Sequence, residues 1–269
     1  MKISIVIATF NSSATLKDTL ESILMQDYSD YEVLVQDGGS TDGTLDIVDD
    51  YKSRFGERLI LESMKDAGLY DGFNKGLHRA SGDVVGFLNS DDFFTSGNVL
   101  SSIVKAYSDN PELDAVYADV QYVSATDKTQ VVRFYCSCKF NPSRMRCGYM
   151  PAHPTFYARR ECYERYGNFD LSMVLAADFE HVLRLIFINH IKTQYIHATW
   201  VTMRLGGAST SGLKSHWQIM QDHYHAYKMH GIKVNTFGYL CRYVEKITEY
   251  VFVDRIIRKV ESYISKNKK

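Results

Sequence analysis

The strongest constraint on this chain is a repeated alternation of short buried-type strands with longer helical patterns across its first ninety residues. Ile3–Ala8 is an apolar, β-branched run, and Leu16, Leu20, Ile23 and Leu24 then recur at helical spacing. Tyr31–Gln36 is the next strand, stopped by Asp37-Gly38-Gly39. Thr44–Phe55 reads as a helix, Leu59–Leu61 as a short strand, Tyr70–Arg79 as a helix and Val84–Leu88 as a buried strand. Strands separated by helices of about 10–15 residues imply an α/β fold on a mostly parallel sheet with right-handed crossovers. In such sheets ligands sit outside the carboxyl ends of the strands, so the residues just past each strand come first as candidates.

After Asp109-Asn110-Pro111 the pattern loosens. Ala115–Val123 and Gln130–Tyr135 read as strands, and Cys136–Pro154 as loop-rich. Arg159–Tyr166 and Ala177–Asn189 are helical, Lys192–Val201 is a strand, and the rest is mostly helical from Leu213. The expected organisation is one domain over 1–212, with a nucleotide-binding half at 1–110 and an acceptor-binding half at 111–212. A helical extension over 213–269 follows.

Charge and cysteine content narrow the partners. A net charge of −1 gives no basis for a nucleic-acid partner. No apolar run reaches the roughly 20 residues a membrane-spanning helix needs. The opening strand carries no cleavage site, so the chain reads as cytoplasmic. Five cysteines, odd in number and irregularly spaced, read as reduced structural thiols. Cys136, Cys138 and Cys147 lack the fourth ligand that a structural zinc site requires.

Three polar clusters follow strands: Thr9-Phe10-Asn11, Asp37-Gly38-Gly39-Ser40-Thr41-Asp42-Gly43-Thr44 and Asn89-Ser90-Asp91-Asp92. The glycine-rich cluster lacks both the P-loop and the dinucleotide spacing. Ser40, Thr41 or Asp42 would cap the following helix, which leaves Asp37 in need of another partner. Asp91 and Asp92 repel one another unless a cation relieves them. Mg²⁺ or Mn²⁺, held by one or two carboxylates and diphosphate oxygens, would do so; an acidic turn is the plainer alternative.

Together with Gly68-Leu69-Tyr70-Asp71-Gly72-Phe73-Asn74-Lys75-Gly76, these segments resemble, in order and spacing, family 2 glycosyltransferases. The Leu-Tyr-Asp-x-x-Asn-Lys-Gly form is similar to the colanic-acid and O-antigen branch. The resemblance implies the GT-A fold, a Rossmann-like, mostly parallel sheet flanked by helices and joined to an acceptor-binding part. It implies a hexosyltransferase-like, metal-dependent, inverting enzyme. Such an enzyme moves a sugar from a nucleotide-sugar donor to a glycan or lipid-linked acceptor in bacterial surface-polysaccharide biosynthesis. By similarity, Thr9, Phe10 and Asn11 line the nucleotide pocket, Asp37 hydrogen-bonds the base, and Asn74 and Lys75 lie near the donor. Asn89, Ser90 and Asp91 stand at the family's D-x-D position, with Asn89 replacing the first aspartate. The metal ligand is Asp91 or Asp92.

In the second half, Asp178 matches the family's general base, with Ala177 in place of the preceding glutamate and Glu180 as a fallback. Its plainer reading is a helix-start aspartate favoured by the macrodipole. His153 is expected on the acceptor side, and Arg204, beside Gly206-Gly207, in a lid over the diphosphate. His216, His223, His225 and His230 read as surface residues rather than a metal site. The basic amphipathic tail packs on the domain, or docks as a peripheral contact on the cytoplasmic face of the inner membrane. Two other functions remain open: a nucleotidyltransferase making nucleotide sugars, and a non-catalytic nucleotide-binding module.

Overall fold

The computed structural model describes residues 1–206, 213–242 and 244. The expected alternation takes the form β1 (Ile3–Thr9), α1 (Leu16–Leu24), β2 (Tyr31–Asp37), α2 (Thr44–Phe55), β3 (Leu59–Ser63), α3 (Leu69–Arg79) and β4 (Val84–Phe87). There follow β5 (Phe93–Phe94), α4 (Val99–Asp109), β6 (Ala115–Val123), β7 (Val131–Tyr135), β8 (Tyr157–Arg159) and α5 (Arg160–Tyr166). Next come α6 (Ala177–Val182), which runs into a π-helical turn at Leu183–Ile188, then β9 (Thr193–Arg204) and α7 (Leu213–Met229). The amphipathic tail expected beyond residue 244 lies outside the described residues.

The strands form one sheet in the order β3-β2-β1-β4-β8-β6-β9-β5, with β7 paired to β6. The long ladders, β3-β2-β1-β4 and β6-β9, are parallel, and the joins made by β5, β7 and β8 are antiparallel. The α/β expectation stands. The division expected at residue 110 falls between α4 and β6, and both sides of it contribute strands to the same sheet.

β1 is buried along its whole length and mostly apolar because both of its faces are covered. Ile3, Ile5 and Ile7 join Leu16, Leu20 and Ile23 of α1 and Ile103 and Tyr107 of α4 on one side. Val6 and Ala8 join Tyr70, Phe73 and Leu77 of α3 on the other. Helix α3 lies unusually close to the sheet. A Cβ at Gly72 would come 3.0 Å from that of Ala8, and one at Gly76 only 2.4 Å from Val6 Cγ1. The glycines of the Gly72-Phe73-Asn74-Lys75-Gly76 segment thus serve helix-on-sheet contact.

Cys136 and Cys138, expected as reduced thiols, form a disulfide with Cα atoms 5.3 Å apart. A tight turn at Ser137–Lys139 folds the chain back so that the Cys138 N–H donates to Cys136 Sγ. Residue spacing alone gave no sign of that turn. Cys147, Cys162 and Cys241 are free.

At the opposite end of the sheet from the polar clusters, a buried carboxylate joins two strands to a loop. Glu32 on β2 accepts from Ser4 Oγ at 2.6 Å, the Ser81 N–H at 2.7 Å and Ser81 Oγ at 2.8 Å, and pairs with Lys2 Nζ at 2.6 Å. Burial pushes its pKa up, but Lys2 and these donors outweigh burial and hold it at about 2. Because the folded value lies below the unfolded one, this stabilisation is complete above about pH 4.5. It drains away as the pH falls toward 2. Glu32→Gln should therefore flatten the acid limb of stability against pH between those values, as measured by urea unfolding. An unchanged slope would show that Glu32 is not a source of that dependence.

Candidate functional site

The carboxyl ends of β1 and β2, and the loop after β4, converge as the topology requires. Asp37, the last residue of β2, is fully buried. Its Oδ1 accepts from Thr9 Oγ1 at 3.1 Å and Ser40 Oγ at 2.5 Å. Its Oδ2 accepts from the Gly39 and Ser40 N–H groups, both at 3.0 Å, and from Ser63 Oγ at 2.7 Å. Burial pushes the carboxyl up, and these donors hold it below the usual carboxylate range. Both oxygens of Asp37, expected on a base, are met here by donors from the strand ends and the loop.

The neighbouring loops interlock through side chains. Asn11 adopts a left-handed backbone (φ 49°), with its N–H on Ser40 Oγ and its Oδ1 on the Thr41 N–H. Ser12 Oγ lies 2.8 Å from Ser90 Oγ, joining the first cluster to the third. Asp42 gathers the Ser13 and Thr44 N–H groups and the Thr44 hydroxyl, which lower its pKa. Phe10, between these anchored residues, leaves its ring 63% exposed.

In the third cluster the adjacent carboxylates have different surroundings. Asp92 is buried, and its Oδ2 accepts from Asn89 Nδ2 at 2.8 Å. Burial, and then the charge of Asp91, push its pKa well up. Asp91 is half-buried and raised by burial against the pull of Arg204. Arg204 donates through Nε to the Asp91 carbonyl at 3.0 Å and pairs with Asp18 of α1, which also holds Lys128 Nζ at 2.8 Å. Among the described residues no set of three His, Cys, Asp or Glu side chains could enclose a metal. A hard cation bound by one carboxylate and diphosphate oxygens needs no such set. Asp91 fits that role, whereas Asp92 is committed to Asn89.

A second region opens across β9. A cavity of about 210 Å³ is lined by Tyr122, Tyr135, Met150, His153, Asp178 and Met203, among others. Strand alternation explains how one strand serves both regions: Met203 faces this cavity, and the next residue, Arg204, reaches Asp91. Asp178 sits in the first turn of α6, with the Tyr70 hydroxyl 3.1 Å from its Oδ1. His153 is buried against the ring of Phe87, 5.8 Å between centroids, and its buried Nε2 has no hydrogen-bond partner among the described residues. Burial lowers its pKa against the opposing charge of Asp178.

Other expected residues are placed differently. The Asn74 amide, expected near the donor, is bonded at both ends to the backbone of Phe169 (2.9 and 3.0 Å) and brackets that loop. Lys75 pairs with Asp71 at 3.1 Å and donates to the Lys65 carbonyl at 2.9 Å. Glu180 is excluded as a fallback base: it is buried, with both oxygens on Arg184 and His230 Nε2 at 2.7 Å. His223 stacks on Phe179 at 3.8 Å in the core, not on the surface. Segment 207–209 of the expected lid lies outside the described residues.

Sequence reasoning missed Asp18 and Asp222. Asp222 of α7 is buried, and its Oδ2 accepts the N–H groups of Leu175 (2.6 Å) and Ala176 (3.0 Å), while Gln218 Nε2 donates to its Oδ1. It thus holds, from a different helix, the turn that leads into α6 and presents Asp178. Only the three-dimensional contact reveals this, because no local spacing joins residues 175 and 222.

Residues 4–168 match the family described as Glycosyl transferase family 2. A PGL/p-HBAD biosynthesis glycosyltransferase of Mycobacterium bovis (strain BCG / Pasteur 1173P2) is 31% identical over 209 residues, 77% of this chain and 79% of that protein. TarS of S. aureus in complex with UDP-GlcNAc is similar at a TM-score of 0.65 and 20% identity, over 84% of this chain and 66% of that one. The mannosyltransferase PcManGT from Pyrobaculum calidifontis, in complex with GDP-Man and Mn²⁺, gives 0.61 and 19%, over 83% and 63%. This chain thus spans just under two thirds of each of those solved chains. At such identities the likeness establishes the fold, the GT-A-like α/β arrangement.

Asp222→Ala removes the acceptor of two N–H groups in a buried turn, each costing about 1–3 kcal/mol if left unmade. At roughly 2–4 °C per kcal/mol for a chain of this size, the unfolding midpoint should fall by several degrees. Asp222→Asn, which retains an acceptor oxygen, should recover part of that loss in the same thermal scan. Equal midpoints for all three proteins would remove Asp222 from this role.

Proposed function

Because the chain belongs to glycosyl transferase family 2 and is a glycosyltransferase, we propose that it transfers a sugar, with inversion, from a nucleotide-sugar donor to a glycan or lipid-linked acceptor. The observation that carries this reading is the pairing of two regions across β9. Laced phosphate-side loops and Asp91 lie on one side, and a cavity walled by Asp178 and His153 on the other.

In this reading the acceptor lies in the cavity with its hydroxyl near Asp178. As the hydroxyl oxygen attacks the anomeric carbon, Asp178 takes its proton, and the bond to the departing nucleoside diphosphate breaks with its electron pair. A base so placed contributes about 10²–10⁴-fold in rate. Tyr70 orients the carboxylate through its hydroxyl, 3.1 Å away. His153 forms part of the cavity wall beside it. Asp91 would hold Mg²⁺ or Mn²⁺, which when bound supplies Lewis-acid stabilisation of the diphosphate. Asn89 keeps Asp92 turned inward, and Ser90 ties the loop to Ser12. Arg204, held by Asp18, stands ready beside Asp91 as a fixed positive charge.

We place the reaction in bacterial surface-glycan assembly, of which the colanic-acid and O-antigen pathways are one form. The similarity to glycosyltransferases of PGL/p-HBAD biosynthesis supports an acceptor from such a pathway equally well. Among the described residues no helix is long and apolar enough to cross a membrane. Contact with the cytoplasmic face would then be peripheral, through the basic tail.

Thermal unfolding with UDP, GDP, dTDP or CMP, each with and without Mn²⁺, tests the donor side. A nucleotide at about 100 times its dissociation constant adds about 2.7 kcal/mol, a shift of several degrees. Asp91→Asn should abolish the Mn²⁺-dependent part, and Asp92→Asn should keep most of it. On the acceptor side, Asp178→Asn should abolish transfer while the nucleotide shift persists. Near-normal turnover by Asp178→Asn would mean that the base lies elsewhere.

A further inference from the structure

The disulfide between Cys136 and Cys138 has no part in the reaction described above, and it encloses only Ser137. A cross-link stabilises a fold through the chain entropy it removes, which grows with the length of the loop closed, so a loop this short contributes little. Both cysteines are exposed, whereas Ser137 between them is buried. The sulfurs are therefore open to solvent thiols, and the residue they clamp is inside.

What Ser137 touches decides what the bond controls. Its N–H donates to Asp119 Oδ1 on β6 at 2.7 Å, and its Oγ accepts the Ala152 N–H at 3.2 Å. Asp119 Oδ2 in turn accepts the Tyr195 hydroxyl of β9 at 2.8 Å. Just before the pair, the Tyr135 hydroxyl donates to the Met150 carbonyl at 2.7 Å. Tyr135, Met150, Ala152 and His153 all line the cavity that Asp178 also lines. The turn closed by the disulfide is thus pinned between the sheet and one wall of that cavity.

We propose that Cys136–Cys138 is a thiol-exchange site: oxidised, it fixes the Met150–His153 wall, and reduced, it releases it. The co-reactant is a small thiol. Its thiolate attacks Cys138 Sγ, and the S–S bond breaks with its electron pair passing to Cys136 Sγ. That sulfur already accepts the Cys138 N–H at 3.3 Å, and it takes up a proton. A second thiolate attacks the outer sulfur of the mixed disulfide and releases Cys138, which is also protonated. Two small thiols leave as one disulfide, and the protein gains two thiols. At the cytoplasmic face, where we place the reaction, glutathione keeps most thiols reduced, and exposed disulfides that do form there are chiefly redox-active. On the glycosyltransferase reading, on which this consequence rests, the reduced protein holds its acceptor less firmly while the donor side is unchanged.

The test uses the folded full chain, treated with oxidised or reduced glutathione. Quenched, unfolded and alkylated, the oxidised protein should carry three labels by mass, on Cys147, Cys162 and Cys241. The protein reduced while folded should carry labels on all five cysteines. Amide hydrogen exchange then reads the wall: the Ser137 and Ala152 N–H groups should exchange about tenfold faster in the reduced protein, and those of residues 9–12 and 37–44 at one rate in both. The double variant Cys136→Ser/Cys138→Ser should exchange like the reduced wild type and ignore glutathione. Ser137→Ala, which keeps the disulfide, should speed exchange at Ala152 in the oxidised protein. Failure of glutathione to open the bond in the folded chain overturns the proposal, as do equal rates at Ser137 and Ala152 in the two states. No nucleotide or acceptor enters these measurements, so the transferase reading stands or falls apart from them.

Discussion

The carboxylate of Asp37 is the point on which the nucleotide side of this protein depends. It is fully buried at the end of a parallel strand, where an unpaired charge would be costly, and five donors from β1, the following loop and β3 compensate for its burial. The same bonds fix three strand ends at one level and turn the Gly39–Ser40 loop toward Asn11. A ligand pocket at the carboxyl end of an α/β sheet is usually described by its loops. Here the loops take their positions from a buried ion whose counter-charges are all dipoles.

The acceptor side is organised by a different constraint. Asp178 lies on a short helix whose N-terminal N–H groups would otherwise lack acceptors. Asp178 Oδ1 accepts one of them, from Phe179, and Asp222 on α7 holds the preceding turn through the N–H groups of Leu175 and Ala176. Glu180, one turn along α6, is likewise tied to His230, just past the end of α7. Two carboxylates at opposite ends of that contact bind α6 and α7 together, so the catalytic candidate is held by chain that lies more than forty residues beyond it. Polar contacts of this kind set geometry rather than add much net stability, since each replaces a bond to water.

The first half of the fold was legible because β1 to β4 and α1 to α3 are regular, long enough to show a period, and bounded by glycine or aspartate. The parallel order and the converging clusters followed from that. β5 and β8 were not legible, being two and three residues long, too short for any periodic signal. Among the site residues, Thr9, Asn11, Ser90 and Asp91 lie together at the strand ends, as their positions implied, and Asp178 and His153 share a cavity. The partners of Asp37 and Asn74 could not be foreseen. A polar side chain past a strand end has the same appearance in sequence whether it faces a ligand or neighbouring backbone.

The alternation along β9 carries a consequence for how such a protein can change. Met203 lines the cavity beside Asp178 and Arg204 reaches Asp91, and a strand repeats every two residues. A deletion or insertion of one residue earlier in β9 would exchange the two faces, sending the cation into the aromatic cavity and the thioether toward Asp91. Changes of even length preserve the faces but move both side chains together. The two regions are thus furnished by neighbours that cannot be re-registered independently. A new cavity lining is left to arise by substitution within its wall, while the length of this strand stays fixed.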